Sequence, residues 1–189
     1  IRALFILSIC LGVFPFFIRS DYYLSIMIFI GINAITVMGL SLLMGYAGQI
    51  SLGHAAFIGI GAYCSGVLTV KFGFSTFPAF LCGLFLSAIM AAAIAVPTLK
   101  LKGHYLAVAT LGFGEIIYII FNELLGITGG PSGLSGIRPL HFFGYSLKGG
   151  VRYFYLVWAT AILLLIFALN VIHSRIGRAL RAVHGSEIG

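Results

Sequence analysis

From Tyr22 to Val70 the chain carries no Asp, Glu, Lys or Arg, a run of 49 residues. A bilayer core about 30 Å thick takes about 20 helical residues to cross, so this run alone is long enough to cross twice. The rest of the 189 residues follow suit: 61% are apolar and only 8% are charged. An ordinary soluble domain is roughly 45–50% apolar and about 25% charged. A chain of this make-up cannot clothe a soluble globule in polar surface. That excludes a soluble enzyme, a nucleic-acid module and a disordered segment, and it leaves an all-α, polytopic transmembrane helical bundle.

Six apolar segments stand out as spans: residues 3–18, 22–44, 54–70, 78–97, 104–125 and 153–173. The first is short and follows a positive start, as a signal peptide would. Phe14-Pro15-Phe16-Phe17-Ile18-Arg19 offers no small-residue cleavage site, so it reads as a span. The net charge of +7 comes from Lys and Arg spread over the connectors. That pattern fits membrane topology rather than a nucleic-acid face. Cys10, Cys64 and Cys82 are odd in number and lie in apolar runs, which argues against a disulfide framework or a zinc site. The chain starts at Ile1 and stops at Gly189 in mid-element, and is read as a fragment of one transmembrane domain.

With the N-terminus inside, Arg2, Lys100, Lys102, Arg175, Arg178 and Arg181 fall inside. Arg19, Lys71, Arg138, Lys148 and Arg152 fall outside. The positive-inside rule then favours this orientation by a small margin, helped by the dense basic cluster after the last span. The connection 126–152 is long, Gly-rich and broken by Pro131 and Pro139, and loops of that length are usually functional or disordered. Glycines at small-xxx-small spacing point to close helix packing.

Three local features can carry function. The stretch from Gly45 to Phe57 interrupts the uncharged run with glycines and with Gln49, Ser51 and His54. Irregular backbone at membrane depth survives only against protein or a water-filled cavity, and Gly-interrupted segments often line transport paths. The plainer reading is a turn between two spans. Glu115 sits near the middle of the fifth span. An intramembrane carboxylate is costly and belongs in the bundle interior, either on a translocation path or as a packing residue. In the tail, Arg175, Arg178 and Arg181 share one helix face and Ile176, Leu180 and Val183 another. This is an amphipathic cytoplasmic helix that rests on anionic headgroups or docks a partner. No nucleophile triad, metal cluster or phosphate loop appears, so the chain is not read as an enzyme. It binds no cofactor of its own, and any ATP is bound by other subunits.

Four stretches occur in order: GYAGQISLGHAAFIGIGAY at 45–63, PTLKLKGHYLA with TLGFGEI at 97–116, TGGPSGLS at 128–135 and RIGRALRA at 175–182. Together they resemble the permease subunits of branched-chain amino acid ABC importers, the LivM type, over residues 22–189. The resemblance implies the ABC importer permease fold and a bacterial or archaeal cytoplasmic membrane. It implies pairing with a sister permease, two cytoplasmic ATPase subunits beneath, and an external solute-binding protein that delivers the substrate. By the same resemblance, 174–189 begins the cytoplasmic coupling loop, with Arg175, Gly177, Arg178, Ala179, Arg181, Ala182 and Glu187 as coupling candidates. Thr128, Gly129, Gly130, Pro131 and Gly133 fall on the outer side where the binding protein would dock. Gln49, Ser51, His54 and Glu115 are the translocation-pathway candidates. A urea or short-chain amide importer shares much of this pattern. A proton-coupled secondary transporter is motivated by Glu115 and lacks a second intramembrane charge. A structural membrane scaffold is the third alternative.

Overall fold

The computed structural model describes residues 2–17, 20–98, 101, 103–142, 145–146 and 149–186. Lys100, Lys102, Arg19, Lys148 and the coupling candidate Glu187 therefore lie outside the described residues. Each of the six apolar segments is helical: α1 (Arg2–Phe17), α2 (Asp21–Ser41), α3 (His54–Val70), α4 (Thr76–Thr98), α5 (His104–Glu123) and α7 (Gly150–His173). A four-residue helix, α6 (Leu125–Thr128), follows α5, and α8 (Arg175–Ser186) follows α7. The expected count of about six spans needs correction. Among the described residues four helical stretches are long and apolar enough to cross a membrane alone: Asp21–Tyr46, Thr76–Thr98, His104–Glu123 and Gly150–His173. With 17 residues α3 falls short of the roughly 20 needed, and α1 is described over the 16 residues Arg2–Phe17.

Helix is the only open structure that satisfies its own backbone in hydrocarbon, and the polar side chains of α2 obey the same rule. Ser25, Asn33, Thr36 and Ser41 each donate to a carbonyl one turn back, those of Asp21, Phe29, Ile32 and Val37, at 2.8–3.2 Å. Such back-bonding hides a hydroxyl or amide within its own helix. Helix α2 then widens into a π-helical turn, Leu42–Tyr46, closed by the Ala47 amide on the Leu42 carbonyl at 3.3 Å.

The chain forms two compact units. The first comprises residues 1–48 and 147–189. Its centre is Phe154 of α7, fully buried and stacked on Phe14 of α1 at 5.8 Å. The Tyr155 hydroxyl donates to the Gly12 carbonyl at 3.0 Å. Helix α2 packs along α7, and α8 packs against the π-helical turn.

The second unit comprises residues 49–146. Its closest pair is α3 with α4. Gly83 faces Gly61 so closely that a Cβ on Gly83 would meet the Gly61 carbonyl oxygen at 2.5 Å. Ser87 donates to the Phe57 carbonyl at 2.7 Å across the same seam. This is the small-residue packing that brings helix backbones together where apolar burial gives no net drive. Ala56, Ile60 and Ile117 form a core against which Met90, Phe113 and Phe121 pack. A two-residue antiparallel pair, β1 (His141–Phe142) with β2 (Tyr145–Ser146), ends the unit.

Gly83→Val drives a branched side chain into the Gly61 backbone. It should lower stability by about 1–3 kcal/mol, the usual cost of overpacking, read as an earlier unfolding midpoint in mixed detergent. Gly112→Ala, where nothing lies within 4 Å, should leave the midpoint unchanged or raise it slightly through helix propensity.

Candidate functional site

The break in the uncharged run is real backbone irregularity. Helix stops at Tyr46 and resumes at His54, with Gly48 in the left-handed region at φ +71°. From residue 49 onward the break is held by α5. The Leu52 amide donates to the Thr110 hydroxyl at 3.0 Å, and that hydroxyl lies 3.0 Å from the Ala107 carbonyl. Gly53 sits so close to α5 that a Cβ would collide with the Thr110 carbonyl, and Gly114 lies opposite. Ser51 is buried, while Gln49 and His54 are half-buried. The His54 ring meets Phe57 edge-on at 6.5 Å. Thr110 was not singled out in the sequence. A Thr three residues after an alanine in an apolar helix signals only back-bonding, and its second role depends on a partner 58 positions away.

Glu115 lies five residues beyond Thr110 on α5 and is exposed within this chain. It lines a cavity of about 280 Å³ together with Leu52, Gly53, Ala55, Leu111 and Tyr118. The structure therefore brings Glu115 to the end of the break while leaving its carboxylate without a hydrogen-bond or ion-pair partner among the described residues. A second cavity of about 360 Å³ lies between Tyr63, Met90, Phe121 and Thr128 and is almost wholly apolar. Among the described residues no group of three His, Cys, Asp or Glu could hold a metal.

The stretch 128–133 divides into structural and displayed residues. Thr128 is buried, its Oγ 2.5 Å from the Phe121 carbonyl and 2.9 Å from that of Leu124, and it accepts the Gly130 amide at 3.1 Å. Gly129 and Gly130 follow at φ +81° and +58°, backbone that glycine adopts freely. Gly133 closes the 3₁₀ turn Gly130–Ser132. Pro131 and Ser132 are exposed at its tip. Lys71, after α3, reaches the Gly126 carbonyl.

The tail forms a well-capped corner. The Ser174 hydroxyl donates to the Val171 carbonyl at 2.7 Å and accepts the Ile176 amide at 3.1 Å, so one side chain ends α7 and caps α8. A Cβ on Gly177 would collide with the Ile172 carbonyl. Arg181 folds back and donates to the carbonyls of Gly177 at 3.2 Å and Ile172 at 3.1 Å. The three arginines are therefore not equivalent. Arg181 caps α7, while Arg175 and Arg178 point outward with Ala179 and Ala182, beside an Ile176 that is 62% exposed.

The family model for the branched-chain amino acid transport system permease component matches residues 22–189, and so covers the break, the Glu115 helix, the glycine turn and the basic corner. The chain belongs to this permease family. It is similar to the high-affinity branched-chain amino acid transport system permease protein LivM of Escherichia coli, at 34% identity over 178 residues and 80% of this chain. The LivM protein of Salmonella typhimurium is 32% identical over 174 residues. A probable branched-chain amino acid transport permease LivM of Methanocaldococcus jannaschii is 26% identical over 200 residues, 88% of this chain. The chain spans 41% of the length of the first two relatives and 58% of the third. No solved structure matches it. This permease-family chain is a multi-pass protein of the cytoplasmic (inner) membrane.

Thr110→Val removes the acceptor of the Leu52 amide and leaves that amide unpaired, at a cost of about 1–3 kcal/mol. Hydrogen exchange at Leu52 should speed up, while Thr110→Ser should exchange as the parent does.

Proposed function

We propose that this chain is the membrane-spanning part of a permease subunit in an ATP-driven importer of branched-chain, hydrophobic amino acids. The observation that carries this reading is the family match across residues 22–189. The branched-chain amino acid transport for which relatives at 32–34% identity are named supports the substrate class. The chain acts as a transport subunit, with ATP bound and hydrolysed by two separate cytoplasmic ATPase subunits. A sister permease pairs with it in the bilayer, and an external solute-binding protein delivers the amino acid.

In this reading the parts divide the work. The break at 47–53, with Gln49 and Ser51, and His54 at the start of α3 line the translocation path, and Glu115 lies where α5 meets it. The turn at 129–133 presents Pro131 to the binding protein. Helix α8 docks the ATPases through Arg175, Arg178 and the exposed Ile176. An ATP-driven change acts only through contacts that differ between states. The Ser174–Gly177–Arg181 corner carries such a change into α7 because it ties α8 to the last carbonyls of that helix.

The direct test is reconstitution of the full-length permease with its partner subunits in proteoliposomes. ATP-dependent leucine accumulation supports the reading, and its absence in a complex that hydrolyses ATP sinks it. Replacing Arg175 and Arg178 together with Glu should cut uptake roughly tenfold or more, the scale of a lost interface anchor, with the unfolding midpoint unchanged. Arg181→Glu should lower both uptake and the midpoint, because it also strips a cap from α7.

A further inference from the structure

Ser25, Asn33, Thr36 and Ser41 of α2 each bond a carbonyl of their own helix, and Glu115 on α5 is the opposite case. It lies near the middle of a membrane-spanning helix, exposed within this chain, and no described residue bonds or pairs with its carboxylate. A carboxylate facing hydrocarbon is among the costliest groups a span can carry. The cavity of about 280 Å³ that it lines offers it another environment.

That cavity has a definite chemical character. Glu115 is its one charged lining residue, Tyr118 adds a phenol one turn along the helix, and Leu52, Ala55, Leu111 and Ile117 supply apolar wall. The close approach of Gly53 to α5 fixes its floor. A divalent cation needs several oxygen ligands, and one carboxylate does not provide them. A planar guanidinium seeks a bidentate carboxylate and further acceptors for its remaining donors. A primary ammonium is compact, carries three donors, pairs with one carboxylate, and is attracted to aromatic rings, of which Tyr118 and Phe121 line the cavity. The apolar wall suits an aliphatic body attached to it.

We propose that the Glu115 cavity is a subsite for a primary ammonium group on an aliphatic body, in which Glu115 pairs with the α-ammonium of the transported amino acid. The assignment rests on the transport reading above, and it deepens that reading by giving one residue a defined part of the substrate. Glu115 then recognises the ammonium end directly, and a neutral Gln in its place keeps the shape while losing the charge.

The test uses the full-length permease assembled with its partner subunits, without solute-binding protein, and measures equilibrium binding of radiolabelled leucine. Competition with 3-methylbutylamine, which has the ammonium and no carboxylate, is compared with 4-methylpentanoate, which has the carboxylate and no ammonium. The expected result is displacement by the amine and not by the acid, with Glu115→Gln weakening leucine binding roughly ten- to hundredfold. Ala55→Leu, which fills the cavity and leaves the charge, should weaken binding as well. Displacement by the acid as effective as by the amine overturns the proposal. So does wild-type leucine affinity in Glu115→Gln, including the case where that variant binds normally but no longer transports, as a proton relay would. Should Glu115→Gln fail to assemble, the competition series on the wild-type complex decides alone. A complex that imports no leucine overturns the transport reading, and labelled 3-methylbutylamine still decides the subsite.

Discussion

Where helix stops at Tyr46 and resumes at His54, backbone amides lose their helical partners, and the Leu52 amide finds the Thr110 hydroxyl instead. Much of the second unit is arranged around that bond. For α3 to begin against α5, the chain at 53 must lie nearly on the α5 backbone, which admits only glycine there and a small residue opposite at Gly114. The same approach places α5 so that Glu115, next to Gly114, lines the cavity at the end of the break. Packing and polarity are thus not separate designs. One satisfied amide sets the helix separation, and the helix separation sets the cavity.

Small residues play the corresponding part elsewhere. Lipid tails are as apolar as leucine, so helices in a bilayer gain little by burying apolar side chains against one another. Contact between backbones substitutes for it at Gly61 and Gly83, reinforced by the Ser87 bond to Phe57. Between α1 and α7 the device differs: Phe154 stacks on Phe14 and a tyrosine hydroxyl reaches the Gly12 carbonyl. The wide apolar surfaces left over are suited to lipid and to further helices.

Much of this could be read in the sequence, for identifiable reasons. The charge-free run and the apolar segments marked helices whose ends lie within a few residues of those observed. α3 was placed at its observed limits because Gly53 and Lys71 punctuate it. The span count was less legible: α3 is largely apolar yet about a turn short, and hydropathy does not separate an undersized helix from a span. The tail was legible as an amphipathic helix. Its arginines looked alike because their spacing is regular, whereas Arg181 is set apart by the corner that turns it back on Ile172. The 128–133 candidates read as the turn residues of an outer loop. What the sequence does not show is that the Thr128 hydroxyl is buried and holds that turn together. Thr110 and the π-helical turn carried no signal of their own, since each depends on a carbonyl or amide that only the folded chain brings near.

The two hydroxyl anchors differ in one further respect, the length of chain each must wait for. Thr128 bonds partners no more than seven residues away, so its turn can set as soon as α5 is made. The bond from Leu52 to Thr110 spans 58 residues, and α4 must be threaded and α5 delivered before it closes. Distant pairings of this kind are the slow ones in folding. During synthesis the Leu52 amide therefore goes without this partner while α3 and α4 are made, and gains it only once α5 arrives.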